Sequence, residues 1–271
     1  KLHYLNTKSM TAGDIDGNNP NILSELTWRD LRSFQLKLRG HGMVYEHVYW
    51  RSSFAYGWIV SGDNQDSDYF GNDRTLEFSR SNNSADAGTV SDGSVGLGYQ
   101  FDLFSGRLKL APLGGYSHHW QGLKIRDGVQ TLGGTLGPFP NLDTSYGSTW
   151  TGWWTGMDLS YRPTDRFSLF GLFEYHRADY EAHANWNLRT DFQHPDSFEH
   201  IAEGTGVVAS LGGAVGLTER WLANASFDVQ DWSTDPGIDR TFFASGATVE
   251  TRLNEVNWNA YAVMMGLSYV W

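Results

Sequence analysis

The sequence predicts an all-β protein, a closed antiparallel transmembrane β-barrel of about ten strands with short turns at one end and long loops at the other. Bulky apolar residues recur at every second position in run after run, and a side-chain period of two marks a strand. Between those runs, short turns and long polar segments alternate, as in single-chain outer-membrane barrels. The composition agrees: 271 residues carry 31 glycines, 7 prolines and 15% aromatics, but no cysteine. That leaves no disulfide framework and no thiolate metal site. Nowhere does the sequence hold the 18 or more consecutive apolar residues of a transmembrane helix. A mean hydropathy of -0.44 fits a barrel, whose apolar residues are hidden by alternation. The formal charge of -11 argues against a nucleic-acid partner and favours cationic partners near the acidic loops.

Taken in order, the chain opens K-L-H-Y with no signal peptide, as expected of a processed chain, and residues 1–271 are expected to form one domain. Leu2 to Met10 is a short first strand, and Gly13 to Pro20 a loop. Phe34, Leu36 and Leu38 share a face within Glu25 to Leu38, and Arg39-Gly40-His41-Gly42 reads as a tight turn. Val48, Trp50, Ser52, Phe54, Tyr56, Trp58 and Val60 line one face of a long strand, and the polar stretch Gly62 to Thr89 reads as an exposed loop or strand extension.

Val95, Leu97, Tyr99, Phe101 and Leu103 alternate with Ser94, Gly96, Gly98, Gln100 and Asp102, and a turn at Ser105-Gly106 starts the return strand through Leu108, Leu110, Gly114 and Tyr116. After a loop from Asp127 to Asp143, Trp153, Thr155, Met157, Leu159 and Tyr161 form the next face, turned at Pro163-Thr164-Asp165. Phe167, Leu169, Gly171, Phe173 and Tyr175 follow, and then the polar segment Arg177 to Glu203. Val207, Ala209, Leu211, Val215 and Leu217 lead through Thr218-Glu219-Arg220 to Trp221, Ala223, Ala225, Phe227 and Val229. A last loop, Ser233 to Glu250, precedes the terminal strand.

In that strand Tyr261, Val263, Met265, Leu267, Tyr269 and Trp271 are large, while the residues between them are mostly small. Aromatics at both ends of an apolar band are how lipid-facing strands are girdled, and the aromatic end resembles the sorting signal of bacterial outer-membrane barrels. Trp271, Tyr269, Tyr99, Phe101, Trp50 and Phe54 are therefore expected to face lipid. An even number of strands places both chain ends in the periplasm. A barrel this narrow is filled by its own side chains. Lys37, Gln100, Asp102, Lys109, Asp158, Glu174, Asn224 and Asp228 are expected to satisfy one another inside it.

With this strand order, the chain resembles the omptins, ten-stranded outer-membrane endopeptidases. Ser24-Glu25-Leu26-Thr27-Trp28 is similar to their Ser-Gln-Leu-Asp-Trp stretch, and Asp66-Ser67-Asp68-Tyr69 to their Asp-x-Asp followed by an aromatic. The resemblance implies a site at the barrel mouth, where an aspartate pair on one wall faces an Asp-x-His on the other and a water between them attacks the peptide. An imidazole takes the water's proton, a carboxylate orients the imidazole, and further acids stabilise developing charge. The implied catalytic residues are Asp66, Asp68, Glu181 and His183, read from Asp179-Tyr180-Glu181-Ala182-His183, with Asp63 and Asp179 beside them for substrate.

The chain departs from the omptin pattern in three ways. The Asp179–His183 triplet comes about four residues early, roughly 13 Å along a strand. By alternation it continues the lipid face of Phe173 and Tyr175, so a bulge is needed to turn it inward. The first-strand acid of omptins appears as Ser9 in Thr7-Lys8-Ser9, and Asn185 and Asn187 stand at the unshifted dyad position.

Asp66 and Asp68 fit a solvated acidic loop as well as a catalytic pair, and Glu181 and His183 fit an exposed strand extension. His118 and His119 are adjacent and point to opposite faces, which is unsuitable for one metal ion. Two functions follow. The first is a non-catalytic or weakly active omptin-like barrel whose acidic extracellular loops bind a partner or ligand. The alternative is an active omptin-type endopeptidase cleaving near basic residues. The partners expected are outer-membrane lipid, lipopolysaccharide, and basic peptides or a protein at the loops. No cofactor and no metal is implied.

Overall fold

The computed structural model describes residues 4–13 and 19–270, with only the backbone of residues 4–12. The strands run β1 (Tyr4–Gly13), β2 (Ser24–Tyr45), β3 (Val48–Tyr69), β4 (Glu77–Ser84), β5 (Gly88–Tyr99), β6 (Phe101–Leu103), β7 (Leu108–Leu132), β8 (Gly137–Pro138), β9 (Asp143–Thr164), β10 (Phe167–Asn185), β11 (Phe198–Gly216), β12 (Trp221–Thr234), β13 (Gly237–Phe242) and β14 (Thr248–Tyr269). All belong to one antiparallel sheet. Two of its staves are interrupted. β4 and β5 lie in succession between β3 and β7, while β12 and β13 lie in succession between β11 and β14. β1 pairs with β2 on one side and β14 on the other.

Period-two faces govern the lower part of each strand, next to the short turns. Phe54, Tyr99, Phe101 and Tyr269 are exposed on the outer wall. Trp50 shares that wall, half-covered where it stacks on Gly40 and Gly42 of β2. Trp271 lies outside the described residues. Large apolar side chains as open as Leu38 at 76% and Trp153 at 72% exposure would be a liability in water, and form the apolar band that a lipid-facing barrel requires. On β3 the band runs from Val48 to Val60, roughly 30 Å along the membrane normal for a strand tilted by about 40°.

Several strands outrun this band. Much of the polar stretch after Gly62 is β3 and β4, and β10 continues to Asn185. Beyond the apolar band both faces can be polar without breaking the ladder, so alternation of hydrophobicity fades while pairing persists. The expected turn at Arg39–Gly42 is also displaced. β2 continues to Tyr45, and the chain reverses at Glu46, a positive-φ residue, and His47.

Inside, the lower lumen holds a polar network. Arg51 donates to Asp158 at 2.5 Å and to Glu174, and the Tyr49 hydroxyl donates to Asp158 at 2.8 Å. Lys37 pairs with Asp228 at 3.1 Å, and Ser210 and Ser226 also donate to Asp228. Gln100 donates to Asp102, and Asn224 to Ser268. Lys109, by contrast, is exposed next to the 104–107 turn, where water solvates its ammonium.

Above the ions comes a tier of imidazoles, with His119 on Asp92 at 2.7 Å and His176 on Glu174 at 2.9 Å. Both rings lean on Trp232, at 4.8 and 4.7 Å between centroids. Higher still, Trp28, Trp150, Trp232, Tyr146 and Tyr180 are almost completely buried, packed with Leu26, Leu253, Val256 and Trp258. The upper barrel therefore contains a hydrophobic core in place of an open cleft.

Candidate functional site

At the top of that core sit Asp66 and Asp68, and a defect in two strands aims them there. In β3 the inward residues are first Ala55, Gly57 and Ile59, at odd positions, but higher up Asn64 is inward, at an even position. β2 changes parity beside it, from Trp28 to Leu31, across Asp30 with φ 52° and a register skip between Arg29 and Arg32. An added residue in each strand flips every side chain beyond it. Gly62 permits the close approach, since a Cβ there would lie 2.5 Å from the Leu31 side chain and 2.9 Å from the Ala85 carbonyl oxygen. Asp66 and Asp68 thus share the lumenal face with their cross-strand partners Leu26 and Ser24. Asp63 falls on the other face and is exposed, a correction to its expected place beside the pair.

The side chains that meet the two carboxylates come from β2, from β4 and from the loop after β10. Trp186 donates to Asp66, Ser24 and Ser79 donate to Asp68, and the Arg189 guanidinium acts on both acids. Arg189 is itself fixed, bonded to Asp191 at 2.9 and 2.7 Å and lying 4.3 Å over the Phe192 ring. Burial first, and then the charge of Asp68, push the Asp66 carboxyl up to about 8, against the opposing pull of Trp186 and Arg189. Burial likewise raises Asp68. Deeper in, Tyr146 accepts or donates at 2.7 Å to Tyr180 and meets His200 at 2.8 Å, with Asp239 3.2 Å from the far nitrogen of His200.

An acid whose folded pKa is raised favours the protonated folded state, so the unfolded state binds fewer protons between about 4 and about 8. The mouth is therefore expected to lose stability as pH rises through that window. Asp66→Asn should flatten the dependence, read as the midpoint of urea unfolding in lipid vesicles at successive pH values.

The other wall does not supply the expected partners. β10 holds strict alternation, with Ala178, Tyr180, Ala182 and Ala184 buried and Asp179, Glu181 and His183 exposed. No bulge interrupts its pairing with β11 or its upper pairing with β9. His183 is 3.0 Å from Glu181, as a base with its orienting acid would be, but both lie on the outer face while Asp66 and Asp68 lie on the lumenal one. The four are not brought together, and Asp179 goes outward with the dyad.

Asn185 and Asn187 serve as ties. Asn185 meets His194 at 2.7 Å, and Asn187 accepts the Asp143 N–H and donates to the Asn141 carbonyl. Sequence reasoning missed Trp186 and Arg189, because nothing in the local pattern marks a loop that folds back over a lumen. The backbone at Ser9 pairs with Thr27 and Asn257.

The solved structure of the outer membrane protease OmpT from Escherichia coli is similar over 99% of this chain and 93% of that one, with a TM-score of 0.75 and 12% identity. A Pseudomonas aeruginosa FadL homologue aligns over 99% of this chain and 88% of that one, with a TM-score of 0.31 and 9% identity, too low to bear on the fold. Among curated proteins none matches the sequence. The OmpT likeness identifies the fold as an omptin-like barrel, and at 12% identity it extends no further. The model of the Protochlamydia outer membrane proteins matches residues 3–271, so the chain belongs to that family of bacterial outer-membrane proteins.

Proposed function

We propose that this chain is a single closed barrel of ten staves without peptidase activity, whose acidic extracellular rim binds a cationic partner, either a basic peptide or a basic protein surface. The observation that carries this reading is the orientation of β10: the imidazole and its carboxylate are turned away from the aspartate pair, and the lumen below that pair is filled by tryptophan and tyrosine. A water held by Asp66 and Asp68 would be separated by the barrel wall from His183 and Glu181, the base and orienting acid that the omptin mechanism requires. Closure is supported by the pairing of β1 with both β2 and β14, and ten staves follow when β4, β5 and β6 count as one, β12 and β13 as one, and the two-residue β8 is set aside as part of a loop.

Strand direction then puts both chain ends at the short-turn, periplasmic side and the long loops outside. The binding surface rests on exposed acids around the upper rim, including Asp73, Asp86, Asp127, Asp235 and Glu255, in a chain of net charge -11. Such a field draws cationic partners and weakens with salt. Outer-membrane lipid and lipopolysaccharide are the partners of the apolar band.

The test is a fluorogenic dibasic peptide incubated with the protein refolded in lipopolysaccharide. No cleavage above the protein-free rate is expected, and His183→Ala and Asp68→Ala should match the unaltered protein. Turnover abolished by Asp68→Ala would instead establish the endopeptidase reading.

A further inference from the structure

The outer face of the β10–β11 pair, above the apolar band, carries a donor set turned away from the lumen. His183 on β10 stands directly across from Glu199 on β11, and Glu181 lies two residues before His183 on the same face. One ligand atom from each of Glu181, His183 and Glu199 lies within 4.8 Å of the others. The imidazole is flanked by carboxylates on both sides: Nε2 is hydrogen-bonded to Glu181 Oε1 at 3.0 Å, and Asp196 Oδ1 lies 3.6 Å from Nδ1.

This is more than a patch of acids, because a nitrogen donor stands at its centre and a third carboxylate stands behind that donor. A small rotation of Asp196 would let it accept the Nδ1 proton and leave the Nε2 lone pair for a cation, the outer-shell arrangement by which proteins orient a metal-binding histidine. Nitrogen and carboxylate ligands bind zinc at about 2.0–2.2 Å, which sets tetrahedral ligand atoms about 3.3 Å apart. The Glu181 to His183 separation already meets that spacing. Glu181 and His183 are half-exposed or more, so small side-chain rotations bring in the rest while the strand backbones stay paired.

We propose that Glu181, His183 and Glu199 bind one divalent transition-metal ion of the zinc class, with Asp196 as the positioning residue for the imidazole. Imidazole in the donor set favours such ions over magnesium or calcium, which take oxygen ligands. Arg240 donates to one oxygen of Glu199 and also holds Glu250 at 3.0 and 2.7 Å. That bond leaves the second Glu199 oxygen available to the ion, and Arg240 limits the build-up of negative charge. Asp179 and the Arg177–Glu203 pair, at 3.5 Å, lie lower on the same face. Three protein ligands leave the remaining coordination to water.

The experiment is a calorimetric titration of the refolded full chain in detergent micelles with zinc chloride, near neutral pH and in excess magnesium. One saturable zinc site per chain is expected. His183→Ala and Glu199→Gln should each abolish it or weaken it at least tenfold, and Asp196→Asn should weaken it by about 10- to 100-fold. His118→Ala, which removes another exposed imidazole of the outer face, should leave the titration unchanged. All these side chains point away from the lumenal core, and heat-modifiable migration on gels confirms that each variant is folded; His183→Gln serves if His183→Ala is not. The absence of saturable zinc binding to the unaltered protein, or binding that survives loss of His183, overturns the proposal.

Discussion

Trp232→Ala is expected to lower the unfolding free energy by about 3–5 kcal/mol, the usual cost of removing a large aromatic from a packed interior. Trp232 is fully buried, and its ring meets Trp150 at 5.4 Å, Trp258 at 6.0 Å, and both imidazoles of the tier below. The neighbouring strand is cut to fit it: Gly206 of β11 is the cross-strand partner of Trp232, and a Cβ there would lie 2.3 Å from its ring. A rigid barrel wall cannot collapse into the space left behind, so the full cavity term should be felt. Urea unfolding in lipid vesicles measures it, with the m-value held to two-state behaviour. A loss below about 1 kcal/mol, well under the range for such truncations, would mean that the upper lumen is loosely filled.

Arg51→Met should cost a similar amount, about 3–5 kcal/mol, for a different reason. Arg51 is buried and holds both Asp158 and Glu174, and its guanidinium lies 4.8 Å over the Trp154 ring. Removing the cation leaves two carboxylates facing each other in a lumen without their shared partner. The penalty belongs to those orphaned charges, so Arg51→Met combined with Asp158→Asn and Glu174→Gln should recover most of the loss. Equal instability of the single and the triple variant in the same unfolding assay would show that packing of the arginine stem, rather than charge, sets the cost.

The fold was legible wherever one face of a strand meets lipid. Phe54, Tyr99, Phe101 and Tyr269 follow from alternation alone because burial in an apolar solvent imposes it on every second residue. The paired charges of the lower lumen were legible for the complementary reason, since polar residues on the inner face of a narrow barrel must satisfy one another. Legibility failed above the band. There the inner face becomes hydrophobic and the outer face polar, so Ala182 and His183 exchange the roles that Phe173 and Glu174 hold lower on the same strand. The aspartate pair was found by its motif, yet its direction rests on the paired defects at Asp30 and Gly62, which a two-residue period cannot register. Glu199 became a neighbour of His183 only through the register of the β10–β11 hairpin, set by a 12-residue connection that shows no period.

The central claim is that β10 keeps unbroken alternation up to Asn185, so that its histidine faces outward. Because the chain contains no cysteine, single replacements report this without background. Ala182→Cys and His183→Cys, each in the refolded barrel, should be treated with a bulky hydrophilic maleimide and the labelled fraction followed with time. The account predicts rapid labelling at position 183 and protection at 182 until the protein is unfolded. Protection at 183 with rapid labelling at 182 would place the histidine in the lumen beside Asp66 and Asp68, and would contradict it.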